Sequence, residues 1–154
     1  MKHSTWMGIA KLIAEKESKC VAWKVAAIIV KDDRLRSTGH NGTPSKQANC
    51  CDVNAHIAEK VQAGDPNAKH EHHMWAKRHE IHAEINAIMY SAPEERNGAT
   101  LYCTLQPCED CAKAIAGSGI KRVVYEQEYH RTPPEAVAIL RDAGIEVYKL
   151  SDLE

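Results

Sequence analysis

The chain has 154 residues, of which 44% are hydrophobic and 27% charged. That supports one domain with a sizeable core and hardly two, and it excludes a disordered chain. Twenty Lys and Arg against 21 Asp and Glu leave a formal charge of −1, without the basic excess of a domain that holds a nucleic-acid backbone.

The first residues, from Ser4 to about Ser18, place Trp6, Ile9 and Ile13 at helical spacing, with Ser4 or Thr5 available as N-cap. Val25 to Val30 is a short, continuous apolar run and predicts a buried strand. Asp32-Asp33 is a turn signal, and Arg34 to His40 returns as the second strand of an antiparallel hairpin that ends at Asn41-Gly42. Val53, Ile57 and Val61 predict a short helix from Asp52 to Gln62, stopped by Gly64 to Asn67. A polar, histidine-rich loop is expected from there to about His79, which makes residues 43–79 an insertion in the single domain 1–154.

Ile81, Ile85, Ile88 and Met89 mark an amphipathic helix that ends before Pro93. Ala99 to Leu105 alternates as a strand, Pro107 to Ala116 predicts a helix, and Ile120 to Tyr125 a strand. Thr132-Pro-Pro-Glu135 has the form of a capping box that opens a helix ending at Gly144, and Ile145 to Leu150 is the last strand. Strands alternating with helices in the second half predict parallel pairing, and the hairpin adds antiparallel strands. The expected fold is α/β: a three-layer α-β-α sandwich around a mixed sheet.

No apolar run approaches the ~20 residues that span a bilayer, and MKHSTWMGIAKL lacks the apolar core of a signal peptide. A cytoplasmic location is therefore expected, where thiols stay reduced. Six cysteines and nine histidines, five of them between His70 and His82, then point to metal binding and not to disulfides.

His82-Ala-Glu84 opens one helix, and Pro107-Cys108-Glu-Asp-Cys111 opens the next, one strand later. Consecutive helix starts fall on one side of a sheet, so His82, Cys108 and Cys111 converge. One imidazole and two thiolates give three ligands to Zn²⁺, which leaves a fourth position for water, as in catalytic and not structural sites. Helix N-termini also favour thiolates. Glu84, two residues after a ligand, faces the open position and can move protons. Taken singly, a Cys-x-x-Cys is more often a structural knuckle or a redox pair, and a His-x-Glu is common on solvated helices. Together and in this order they form the signature of zinc-dependent nucleobase deaminases.

Cys20 precedes the first strand of the hairpin, and Cys50 and Cys51 follow the second, so Cys20 can meet either one. The stretch with His70, His72, His73, His79 and Glu80 leads into the His82 helix. Free buried thiols and a solvated histidine loop are the plain alternative. Asn41 is a turn residue or a reader of a sugar hydroxyl. Tyr129, alone at a strand end, is a packing or a substrate-binding residue.

The chain resembles the deoxycytidylate (dCMP) deaminases of large tailed bacteriophages. The matching stretches are Glu17 to Cys20, Gly39 to Gly42, Asn49 to Asp52, Glu80 to Ala87, Pro107 to Lys113, Gly119 to Lys121 and Ala143 to Val147. His40 departs from the tyrosine usual there, and the insertion looks shorter. The resemblance implies hydrolysis of dCMP to dUMP and ammonia, with dUMP supplied for dTMP synthesis. It implies a second, structural zinc on Cys20, Cys50, His72 and Glu80, hence two Zn²⁺ per chain. It also implies nucleotide contacts from Tyr129 and Asn41. It further implies activation by dCTP and inhibition by dTTP, each with Mg²⁺, at an allosteric site near Asn41 and Gly42, and a homo-oligomer of hexameric type. A related deaminase of a base, a nucleoside or tRNA is the neighbouring alternative. A non-catalytic zinc module is the alternative of another class, and it would have no need of Glu84.

Overall fold

The computed structural model describes residues 1–154. Its centre is a five-stranded sheet in the order β2-β1-β3-β4-β5. The strands are β1 (Ala26–Lys31), β2 (Arg34–His40), β3 (Thr100–Leu105), β4 (Arg122–Gln127) and β5 (Glu146–Lys149). β1 pairs antiparallel with both β2 and β3, whereas β3, β4 and β5 run parallel. The β1–β2 hairpin turns at Asp32 and Asp33, both at positive φ (53° and 56°), the backbone of a type I′ turn. A bulge between Ile29 and Val30 leaves Arg36 as the extra residue on β2.

The period of two along each strand divides the core between two faces. Helix α1 (His3–Glu17) covers one face, where Trp6, Met7 and Ala10 meet Ile28, Val30, Tyr102 and Val124. The other face carries Ala27, Ile29, Leu101, Cys103, Val123 and Val147. Against it pack α5 (Ala83–Met89), α7 (Glu109–Ala116) and α8 (Pro134–Asp142), through small residues such as Ala83, Ala87, Ala112 and Ala136 and the larger Ile115 and Leu140. The result is the three-layer α-β-α sandwich with a mixed sheet that the sequence predicts. No helix is long and apolar enough to cross a membrane.

The excursion between β2 and α5 differs from expectation. The expected helix over 52–62 is three short pieces: α2 (Cys50–Val53), a 3₁₀ turn at Ala55–Ile57, and α3 (Ala58–Gln62). The expected loop up to His79 is a helix, α4 (Pro66–His79). Asp65 caps it by accepting from Ala68 N at 3.0 Å, and Pro66 occupies its first turn, so the residues taken for a helix stop are a helix start. Only Ala68 and His72 of α4 are buried, which is why no apolar period announces it. A further turn, α6 (Pro93–Arg96), follows α5. The capping box at Thr132 does not form: Pro133 is the N-cap of α8, so Thr132 lies one residue too far out and its buried hydroxyl has no partner. Similarly, α1 is entered from Lys2, with Ser4 and Thr5 already inside the helix.

Because β1 opposes β2 and β3, one edge of the sheet collects many chain ends. Ala26 pairs with His40 and Ala27 with Cys103, so the start of β1 meets the ends of β2 and β3, and the end of β4 lies beside that of β3.

Candidate metal centres and catalytic site

His82 is the N-cap residue of α5 and Cys108 that of α7, while Cys111 sits in the first turn of α7. The ligand atoms of these three residues lie within 4.8 Å of one another. His82 Nδ1 is 3.2 Å from Cys111 Sγ and 3.5 Å from Cys108 Sγ. An imidazole nitrogen and a thiolate held tetrahedrally on one zinc ion stand about 3.6 Å apart, so the donor set and its spacing both fit Zn²⁺. His82 is exposed, Cys108 half-buried and Cys111 buried, which leaves the cluster open on one side. The Cys111 thiol, ahead of His82, holds the Cys108 thiol down to about 4, while the Cys108 thiolate and burial push Cys111 up. Hydrogen bonding to Cys108 raises His82 to about 9.

Glu84 is 5% exposed. Burial pushes its carboxyl above the ordinary range, and Cys111 and His82 beside it pull part of the way back. A carboxyl so placed, next to the open side of a cluster of metal donors, has the position and the raised proton affinity that a general acid–base group needs.

The second cluster contains Cys20, Cys50, His72 and Glu80, again with ligand atoms within 4.8 Å of one another. Cys20 Sγ is 3.3 Å from His72 Nε2, which is 3.5 Å from Glu80 Oε1. Backbone N–H groups point at both sulfurs: Val21 N donates to Cys50 Sγ at 3.4 Å and Trp23 N to Cys20 Sγ at 3.5 Å. Hydrogen bonding to Cys50, then to His72, lowers Cys20 to about 5, and His72 rises to about 9 beside Cys20 and Glu80. Glu80 Oε1 is buried without a hydrogen-bond partner. Its nearest polar neighbour is His72 Nε2 at 3.5 Å, and a divalent ion bound by the same four groups would offset the cost of burying the carboxylate. Four protein donors make a closed set, as in structural zinc sites. Of the α4 histidines, His72 is buried in the cluster, while His70, His73 and His79 are exposed, as is Cys51.

Asn41 lies between the clusters. Its Oδ1 accepts from Ser18 Oγ at 2.6 Å and Val25 N at 3.0 Å, and its Nδ2 donates to Trp23 O at 2.7 Å and to Glu80 Oε2 at 3.4 Å. Tyr129 follows β4, with its N–H donating to Gln106 Oε1 just before Pro107. Its ring packs edge-on against Trp23 at 5.7 Å. Trp23 and Asn86, whose amide donates to His40 O at 2.8 Å, belong to this region, and sequence patterning missed both. An aromatic residue just ahead of a strand and, on a helix whose other polar residue is Glu84, an amide were the signals available.

The family model of the cytidine and deoxycytidylate deaminase zinc-binding region matches residues 1–127. Deoxycytidylate deaminase of Enterobacteria phage T4 is 42% identical over 175 aligned positions, covering 97% of this chain and 90% of that protein. The deoxycytidylate deaminase of Mycobacterium phage D29 is 40% identical over 123, covering 80% of this chain and 92% of its own length. Among solved structures, the cyanophage S-TIM5 dCMP deaminase in complex with dCMP and dUMP superposes with a TM-score of 0.72 at 34% identity, covering 97% of this chain and 98% of that one.

The donor sets lead to a stoichiometry. Protein prepared without chelator is expected to hold one zinc ion in each cluster by elemental analysis. Cys108→Ser should remove one ion. Cys50→Ser should remove the other and lower the melting temperature, because structural zinc contributes folding free energy directly. A single equivalent in carefully prepared protein would leave the second cluster without metal.

Proposed function

The chain belongs to the cytidine and deoxycytidylate deaminase family, and from that premise we propose that it hydrolyses dCMP to dUMP and ammonia. The observation that carries this is the buried Glu84 beside the open His82–Cys108–Cys111 cluster. A purely structural centre has no use for such a carboxyl.

Zinc, when held by His82, Cys108 and Cys111, supplies the Lewis acid that lets water lose a proton near neutral pH. Glu84 accepts that proton and passes it to N3 of the pyrimidine as the water oxygen bonds to C4. Glu84 then carries the proton of the new C4 hydroxyl to the amino nitrogen, the C4–N bond breaks, and the products are ammonia and a C4 carbonyl. The raised affinity of Glu84 for protons suits both the accepting and the returning step. Cys20, Cys50, His72 and Glu80 hold a second, structural zinc, and residues 1–154 act as one domain with the 43–79 excursion as its metal-binding part.

Tyr129 binds the nucleotide, its phenolic hydroxyl suited to a phosphate oxygen. Its support is its place at the sheet edge above Gln106, next to the segment that carries Cys108. Asn41 reads a sugar hydroxyl at the same edge. The dUMP formed feeds dTMP synthesis in the host cytoplasm. The resemblance extends to a homo-hexamer and to control by dCTP and dTTP with Mg²⁺ near Asn41 and Gly42. The turn at 39–42 touches the segment that joins the two clusters, which gives an effector there a route to the reacting centre.

Glu84→Gln should retain zinc and lose deamination by about 10²–10⁴-fold or more. Normal turnover in the zinc-loaded variant would overturn the assignment. Tyr129→Phe should raise KM for dCMP more than for deoxycytidine, and equal losses on both would make Tyr129 a packing residue. Velocity against dCMP should rise with dCTP and fall with dTTP when Mg²⁺ is present. Superimposable curves under all conditions would show a chain without the switch.

A further inference from the structure

Four consecutive residues at the end of β2 meet successive points along the entry and first turns of α5. Gly39 sits where a β-carbon would collide with the carbonyl oxygen of Ala83 and the backbone nitrogen of Ala87. His40 gives its carbonyl to the Asn86 side chain at 2.8 Å. Asn41 donates to Glu80 Oε2 at 3.4 Å. Gly42 exchanges both backbone hydrogen bonds with Ile81, N to O at 3.1 Å and O from N at 2.8 Å. The chain from Glu80 to Ala87 is therefore held from below at five residues, and His82 and Glu84 lie between the held points.

The fastening is specific. Backbone-to-backbone contact at Gly39 sets the depth of α5 and cannot be relaxed by a side-chain rotation. The Gly42–Ile81 pair fixes the extended segment that delivers His82 to the N-cap position. Asn86 is the one side chain of α5 that reaches back to the strand end. It lies one half-turn beyond Glu84 and fixes the rotation of the helix about its own axis. Farther along, Ser37 Oγ donates to the carbonyl of Ala87 at 2.7 Å and secures the far end.

We propose that residues 39–42 form a positioning saddle for α5, with Asn86 as the positioning residue that sets the aim of the Glu84 carboxyl. The amide hydrogen-bonds the His40 carbonyl and none of the metal donors, and it acts through Glu84. The saddle matters for turnover only if Glu84 moves the protons, as proposed above. A carboxyl displaced by an ångström from a near-attack position loses on the order of 10²-fold in rate, with binding little changed.

The test compares Asn86→Ala, Asn86→Asp and Ser37→Ala, with Glu84→Gln alongside, all loaded with zinc and checked for metal content and thermal unfolding. Asn86→Ala should lower kcat about 10²-fold while KM for dCMP stays near its original value. Asn86→Asp, equal in size but without a donor at neutral pH, should fail in the same way, and it keeps the test open if the alanine variant does not fold. Ser37→Ala should lose stability and keep its kcat. Full turnover in either Asn86 variant, or an equal fall in kcat for Ser37→Ala, overturns the saddle. An active Glu84→Gln protein overturns instead the assignment on which the saddle depends, so the two failures are told apart.

Discussion

The direction of β1 is the constraint from which the rest of the site follows. An all-parallel sheet would send the start of every strand to the edge opposite the one where helices α5 and α7 begin. β1 runs against β3, so Ala26 and Ala27 stand level with His40 and Cys103. The segment before β1 is thereby carried to the edge where β3 gives way to Pro107 and Cys108, and Cys20 reaches this edge because of that reversal. Asn41 is there already, since β2 runs the same way as β3 and ends at the same edge. The type I′ turn at Asp32-Asp33 makes the reversal compact, its handedness matching the twist of the two strands.

The electrostatics of the two clusters follow one logic. Each gathers thiols and an imidazole so closely that protons are redistributed among them: Cys108 and Cys20 are driven down, His82 and His72 up. The donor types and their spacing within 4.8 Å fit a cation, which would bind the thiolates and the neutral imidazole and release the protons. The difference lies in the carboxylate. Glu80 turns a buried oxygen into a group of four donors, whereas Glu84 is buried beside an open group of three. Two glutamates four residues apart thus occupy different settings, and the roles proposed for them, metal donor and proton carrier, rest on that difference.

The sequence made much of this legible. The strand hairpin, the α/β alternation and the two metal motifs are readable because each rests on a short-range period or spacing. Helix α4 was not, since a helix with only Ala68 and His72 buried has no apolar stripe, and its start at Asp65-Pro66 has the same composition as a helix stop. The capping box at Thr132 was over-read: the motif was present, but a second proline moved the cap one residue onward. Asn86 and Trp23 carry no motif. Their roles come from what the fold sets opposite them, the carbonyl of His40 and the ring of Tyr129, and such partners are visible only after folding.

The sparse burial of α4 has a consequence for how the molecule comes apart. The sheet and its flanking helices are joined by two extensive apolar clusters, while the 3₁₀ turn, α3 and α4 share a cluster of three buried residues, Ile57, Val61 and Ala68. What ties α4 to the remainder is largely the polar contact of His72 with Cys20 and Glu80. Cohesion is therefore uneven, with a hydrophobic body that holds itself and an appended helix held at a cluster of polar donors. Amide hydrogens of α4 would exchange by opening of the appendage alone, while those of β1 and β3 would wait for global unfolding. With the second zinc proposed above in place, zinc scarcity would act first as a local loosening of the segment adjoining His82, well before it acted as denaturation.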